Sequence, residues 1–221
     1  MRLCSCGAHP PAKRIVLTGG PGAGKTAVLE LMRHAFCRHV RFLPESAGIV
    51  FGGGFPRETS DVGRRAAQRA IFHVQHELEA VADADGAAIV VCDRGTLDGI
   101  AYWPGPGDLC EEAGTTTERE LARYATVIHL RTPSQSDGYD HSNPLRIETA
   151  AEAGTIDARI EAVWAAHPDR FIVPATHDFL SKAARALEIM RRSAPACCSG
   201  QSGEGDPVTL LSNVGRAGRW T

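Results

Sequence analysis

The chain has 221 residues, 43% of them hydrophobic and 23% charged, with 24 Lys and Arg against 26 Asp and Glu for a formal net charge of −2. That length suits one well-buried domain rather than two. The near-neutral balance argues against nucleic acid or a membrane surface as a general electrostatic partner. No apolar stretch approaches a membrane span, and "MRLCSCGAHPPAKR" lacks the apolar centre of a secretion signal, so a cytoplasmic protein is expected.

Residues 1–12 read as a tail ahead of a domain at 13–193. The domain opens with an apolar run, "RIVLT" at 14–18, that fits a short buried strand. "GGPGAGKT" follows at 19–26: Gly, four residues, then Gly, Lys and Thr, the P-loop spacing. Val28, Leu29, Leu31, Met32 and Phe36 then recur at helical spacing. Glycines let the backbone curl with its N–H groups inward, and the helix start adds a positive dipole end. Gly19, Gly20, Pro21, Gly22, Ala23, Gly24, Lys25, Thr26 and Ala27 are therefore the expected polyphosphate cradle. Lys25 would reach the β- and γ-phosphates and the Thr26 hydroxyl would ligate Mg²⁺. The plain alternative is a Gly-rich turn between strand and helix.

A second strand at 40–43 runs into "LPES", which sends Glu45 toward the same cleft. A carboxylate there could take the proton of an acceptor hydroxyl, or could pair with an arginine. "GIVFGGGFPRETSDVG" at 48–63 reads as a Gly-rich loop, and Ile71, Val74, Leu78 and Val81 as the buried stripe of a long helix. The third strand, at 88–92, ends in "CDRGTLDG", so Asp93 and Arg94 stand at the carboxyl edge of the sheet, where open α/β folds bind ligands. Asp93 could hold Mg²⁺ directly or through water, or act as a helix cap. Arg94 offers a donor fork for phosphate or carboxylate, or an ion-pair partner for Glu45 or Asp93.

After a fourth strand at 126–130 comes a polar excursion, 131–154, whose Arg131, His141 and Arg146 could close over phosphates as a lid. An amphipathic stretch through Ile156, Ile160, Val163 and Trp164 leads to a fifth strand at 171–173. A last stripe runs through Leu180, Ala183, Ala184, Leu187 and Met190. From 194 to 221 the chain is rich in Gly and Ser without periodicity and reads as an unstructured tail. Five β-branched runs alternating with helical stretches predict an α/β fold, a parallel sheet with helices on both faces.

Seven cysteines are an odd number, and Cys92 lies in an apolar strand, so no disulfide framework is expected. Cys4, Cys6, His9, Cys197 and Cys198 could gather around zinc, but their spacings are not those of a standard site, and free tail thiols are the preferred reading.

The stretches "VLTGGPGAGKT", "LPES" with a following "GGGFP", "QRAIFHVQHELE", "CDRGTLDGIAYWP" and "NPLRIETAAEA" together cover residues 13–190. They resemble a family of small P-loop domains carried under the AAA name, which includes the TRPL translocation defect protein. The nicotinamide riboside kinase domain is a more distant look-alike. The resemblance implies a three-layer P-loop NTPase fold with a kinase-like core, five parallel strands in the order 2-3-1-4-5, and a lid after the fourth strand. It also singles out Arg146 among the lid arginines. AAA motors carry a second acid after the metal-binding Asp, whereas here Arg94 follows Asp93, a departure that points away from a motor. Some members are described as binding GTP and phosphoinositides, which leaves base and acceptor open.

The expected function is transfer of the γ-phosphate of ATP, with Mg²⁺, to a small hydroxylated acceptor, using Lys25, Glu45, Asp93, Arg94 and Arg146. GTP is the alternative nucleotide, since no Asn-Lys-x-Asp stretch argues for guanine. The alternative function is a regulatory NTP-binding switch with a protein or lipid partner. A monophosphate acceptor would call for further arginines, for which Arg57, Arg64 and Arg65 are available.

Overall fold

The computed structural model describes residues 12–37, 39–133, 149–176 and 178–194. The tail cysteines, His141 and Arg146 lie outside the described residues. All five expected strands form: β1 (Lys13–Thr18), β2 (Val40–Leu43), β3 (Ile89–Asp93), β4 (Thr126–Leu130) and β5 (Arg170–Val173). Every pairing is parallel, in the order β2-β3-β1-β4-β5. β1 is central, with Leu17 opposite Asp93 on one side and Thr18 opposite His129 on the other. The end of β1 is thus flanked by polar residues where the P-loop begins.

Alternation along the strands divides the core into two layers. Ile15, Leu17, Val91, Ile128 and Leu130 face α1 (Lys25–Ala35) and α7 (Phe179–Ser193), meeting Met32, Leu187 and Met190. Val16, Val90, Cys92 and Val127 face the other way, onto a 3₁₀ helix (Thr96–Tyr102) and α6 (Ala150–Val163), where Leu97, Ile160 and Trp164 fill the layer. α3 (Asp61–Ala84), α4 (Leu109–Glu112) and α5 (Thr117–Ala122) complete that side. Among the described residues no helix is long and apolar enough to cross a membrane.

Three local expectations need correction. The stretch at 48–63 is not all loop: α2 (Ser46–Gly52) occupies its start and ends at Gly53 and Gly54. The polar excursion is shorter than 131–154, because Thr149 and Glu152 form a capping box that starts α6 at Ala150. In α3 the buried face is Ala67, Phe72, Gln75, Glu79 and Ala82, while Val81 is exposed and Ile71, Val74 and Leu78 are only partly covered. The helix is turned by one residue so that Glu79 enters the core. There it accepts hydrogen bonds from Gln75 Nε2 (2.9 Å) and the Tyr124 hydroxyl (2.8 Å) and pairs with Arg14 and Arg123. A buried carboxylate with two arginines and two neutral donors is satisfied, and an apolar stripe cannot announce it. Cys92 and Cys110 are free and buried.

Candidate functional site

The P-loop leaves β1 at Gly19 and enters α1 at Lys25. Gly19 has φ 138°, and a Cβ there would stand 2.1 Å from the Leu130 carbonyl oxygen, so the first glycine of the motif is required by the neighbouring strand itself. The Lys25 ammonium folds back to donate to the carbonyls of Gly19 (2.9 Å) and Gly20 (3.0 Å). Burial, helped by the Arg94 guanidinium, lowers its pKa to about 8. Thr26 and Ala27 are exposed at the helix start, where first-turn N–H groups have no partner within the helix.

Asp93, Arg94 and Glu45 converge on this loop, as their places at the ends of β3 and β2 predicted. Asp93 Oδ1 is buried without a hydrogen-bond partner among the described residues. Burial pushes its pKa up to about 6, with Glu45 and Asp98 adding repulsion while Lys25 and Arg94 oppose it. Arg94 has φ 72°, a left-handed conformation that costs a non-glycine residue about 1–2 kcal/mol. Its guanidinium bonds hold it there: Nε to Glu45 Oε1 at 2.7 Å, and Nη1 to Asp98 Oδ2 and the Gly19 carbonyl, each at 3.3 Å. Burial disfavours the charged form of Glu45, but Arg94 outweighs it and holds the carboxyl below its ordinary pKa.

Asp98 was not singled out by the sequence, although it lies in the same "CDRGTLDG" stretch. It is 3% exposed and accepts from the Thr18 hydroxyl and from the Trp164 indole, each at 2.6 Å, besides Arg94. Asp98 therefore anchors Arg94 from beneath, while Glu45 holds it from the solvent side.

A second group, also missed, grips the loop from the β4 side. Asp157 of α6 accepts the Gly20 N–H at 2.8 Å, lies 2.9 Å from His129 Nε2, and receives Arg131 Nη1 at 3.2 Å. The Thr132 hydroxyl donates to the Pro21 carbonyl at 3.1 Å. Arg131 is thereby engaged with α6, where it also pairs with Glu161. Arg146 lies outside the described residues, and its role rests on the resemblance alone.

The family model for an AAA domain matches residues 14–180. This chain belongs to that family. Among solved structures, thymidylate kinase from Candida albicans is similar with a TM-score of 0.57 over 82% of this chain and 92% of the kinase, at 13% sequence identity. At that identity the likeness shows a common fold, that of a P-loop nucleotide kinase. No curated protein matches the sequence.

In this AAA-domain protein a cleft of about 490 Å³ opens beyond Tyr102, lined by Asp61, Arg64, Trp103 and Arg159 among others. Tyr102 lies between Arg64 and Arg94: Arg64 Nη2 bonds its carbonyl at 3.1 Å, and the Arg94 guanidinium stands 5.8 Å from its ring centroid. Arg65 is committed to structure through the Pro104 carbonyl and Glu112, and Arg57 lies over the Phe51 ring at 4.2 Å. Of the three arginines considered for a phosphorylated acceptor, only Arg64 lines this cleft, and Arg159 joins it.

Burial opposes the charged form of Asp157, but the hydrogen bonds from His129 and the Gly20 N–H hold its pKa below the ordinary 3.8. A carboxyl depressed in the fold contributes stability above its unfolded pKa, and that stability is lost as pH falls through the folded value. Asp157→Asn is therefore expected to lower stability at neutral pH by about 1–3 kcal/mol. The gap to wild type should close below pH 4. Denaturant titrations of both proteins across that range check it; a gap independent of pH would show that the carboxylate charge is not what Asp157 supplies.

Proposed function

We propose that this protein is a phosphotransferase that binds a nucleoside triphosphate with Mg²⁺ and passes the γ-phosphoryl group to a hydroxyl of a small acceptor. ATP is the favoured nucleotide and GTP the alternative. The observation that carries the reading is Asp93, whose buried Oδ1 has no hydrogen-bond partner among the described residues, at the mouth of the P-loop near Lys25. Native folds rarely leave such an atom unsatisfied without a functional reason. Together with the exposed Thr26 hydroxyl it forms a hard-oxygen set suited to Mg²⁺, held directly or through water. Mg²⁺ bound there would neutralise charge on the phosphate oxygens.

Within this reading the backbone N–H groups of residues 22–27 bind the phosphates and Lys25 turns from the Gly19 and Gly20 carbonyls onto them. Little covalent work falls to the protein, so positioning and charge carry the rate. Glu45 orients the acceptor hydroxyl by accepting its hydrogen bond. Held acidic by Arg94, it takes the proton late. Arg94, in the place of the second acid of AAA motors, keeps Glu45 in register rather than activating water.

A screen of nucleosides, nucleoside monophosphates, sugars and amino-alcohols for acceptor-dependent ADP release, beside an acceptor-free control, tests the proposal. Stimulation by one chemical class supports it. Slow hydrolysis unaffected by any of them would move the protein to the NTP-switch reading. For the metal site, Asp93→Asn is expected to raise the Mg²⁺ concentration for half-maximal activity about tenfold or more, since a charge is lost from the ligand set. The same variant should raise the melting temperature of the metal-free protein, because a buried carboxylate without a partner is removed. An unchanged Mg²⁺ titration would make Asp93 a turn residue.

A further inference from the structure

The P-loop touches a second buried lysine. Lys182, near the start of α7, is 5% exposed, and its ammonium donates to the carbonyls of Ala23 at 2.9 Å and Arg131 at 2.5 Å. It forms no ion pair among the described residues. Burial lowers its pKa to about 8, with only the charge of Asp157 opposing. An ammonium buried without a bonded carboxylate is an expensive way to fill a helix–sheet contact, where a methionine would pack with less strain on the fold.

What the charge does follows from peptide geometry. A trans peptide points its carbonyl and the following N–H in opposite directions, and no cis peptide occurs among the described residues. The Gly19–Gly20 peptide shows the rule in this loop: Lys25 and Arg94 bond the Gly19 carbonyl while Asp157 bonds the Gly20 N–H on the far side. With the Ala23 carbonyl drawn to Lys182, the Gly24 N–H turns away from α7, to join the free first-turn amides of α1. Gly24 itself sits at φ 86°, with the Phe179 ring of α7 3.1 Å from where a Cβ would be. α7 thus fixes the last turn of the loop by a ring contact and a hydrogen bond.

We infer that Lys182 is a positioning residue of the phosphate site, which holds the Ala23–Gly24 peptide in the orientation that presents the Gly24 N–H to a bound phosphate. The inference rests on the reading of the P-loop as a triphosphate site. Lys182→Met in the full chain is the test, with dissociation constants for a non-hydrolysable ATP analogue and amide NMR shifts on adding inorganic pyrophosphate. Affinity should fall about ten- to hundredfold, the worth of one hydrogen bond to a charged group. The Gly24 amide should lose its downfield response while the Thr26 amide keeps its own, a difference that general destabilisation would not produce. Should the methionine variant fail to fold, Lys182→Gln, which retains a donor, is measured in the same way and should keep part of the Gly24 response. Unchanged affinity with an unchanged Gly24 response in a folded variant overturns the inference while the triphosphate site stands. A wild-type chain that binds neither ligand overturns both.

Discussion

Lys25→Met is expected to abolish ligand-induced thermal stabilisation by ATP and to lower turnover by at least about 10²–10³-fold, the usual worth of one preorganised donor to developing charge. Among the described residues the ammonium bonds the Gly19 and Gly20 carbonyls, and it is disfavoured by burial and by Arg94, which is why its pKa falls to about 8. Its charge is therefore of little use to the empty fold. The melting temperature without nucleotide should hold, and the loss should appear in binding and turnover alone. Calorimetric titration with the triphosphate, beside thermal melts with and without it, separates the two. Equal nucleotide affinity in variant and wild type would remove the P-loop from the proposed chemistry.

Glu45→Gln carries the second large effect and distinguishes transfer from mere nucleotide binding. The Glu45 side chain is 40% exposed, one oxygen held by Arg94 at 2.7 Å. A glutamine keeps the size and can still accept a hydrogen bond from Arg94, but cannot take a proton. Acceptor-dependent transfer should fall by about 10²-fold, the lower end of what a general base supplies, since a carboxyl held acidic is a weak base. Triphosphate affinity and acceptor-free hydrolysis should change much less. A parallel fall in every activity, together with a lower melting temperature, would reduce Glu45 to a structural partner of Arg94. Wild-type transfer in the glutamine variant would exclude it from the reaction.

The strands, the P-loop and the meeting of Asp93, Arg94 and Glu45 at one sheet edge were legible in the chain because each follows from a local rule. β-branched runs alternating with helices pair in parallel, and a residue at the carboxyl end of such a strand opens into the crevice. The capping box at Thr149 and Glu152 is legible too, as a T-x-x-E pattern. Other features depend on which residues distant in sequence are brought together, and no local pattern carries that information. Glu79 turns α3 by one residue because Arg14 and Arg123, from β1 and the end of α5, arrive around it. Arg94 is held by Glu45 and Asp98 because two carboxylates, that of Glu45 distant in sequence, stand within reach of its fork.

Asp157 and Lys182 illustrate the same limit at the site itself. In sequence they are an acid and a base on two amphipathic helices, and a charged residue in such a place is normally solvated. Their burial follows from α6 and α7 crossing under the P-loop, where backbone N–H and carbonyl groups of Gly20 and Ala23 need partners that the loop, lacking its own secondary structure, cannot provide. The sequence by itself determined where the P-loop would sit; the tertiary structure decided which distant side chains hold that loop in shape, because satisfying a buried peptide group is a matter of three-dimensional neighbours.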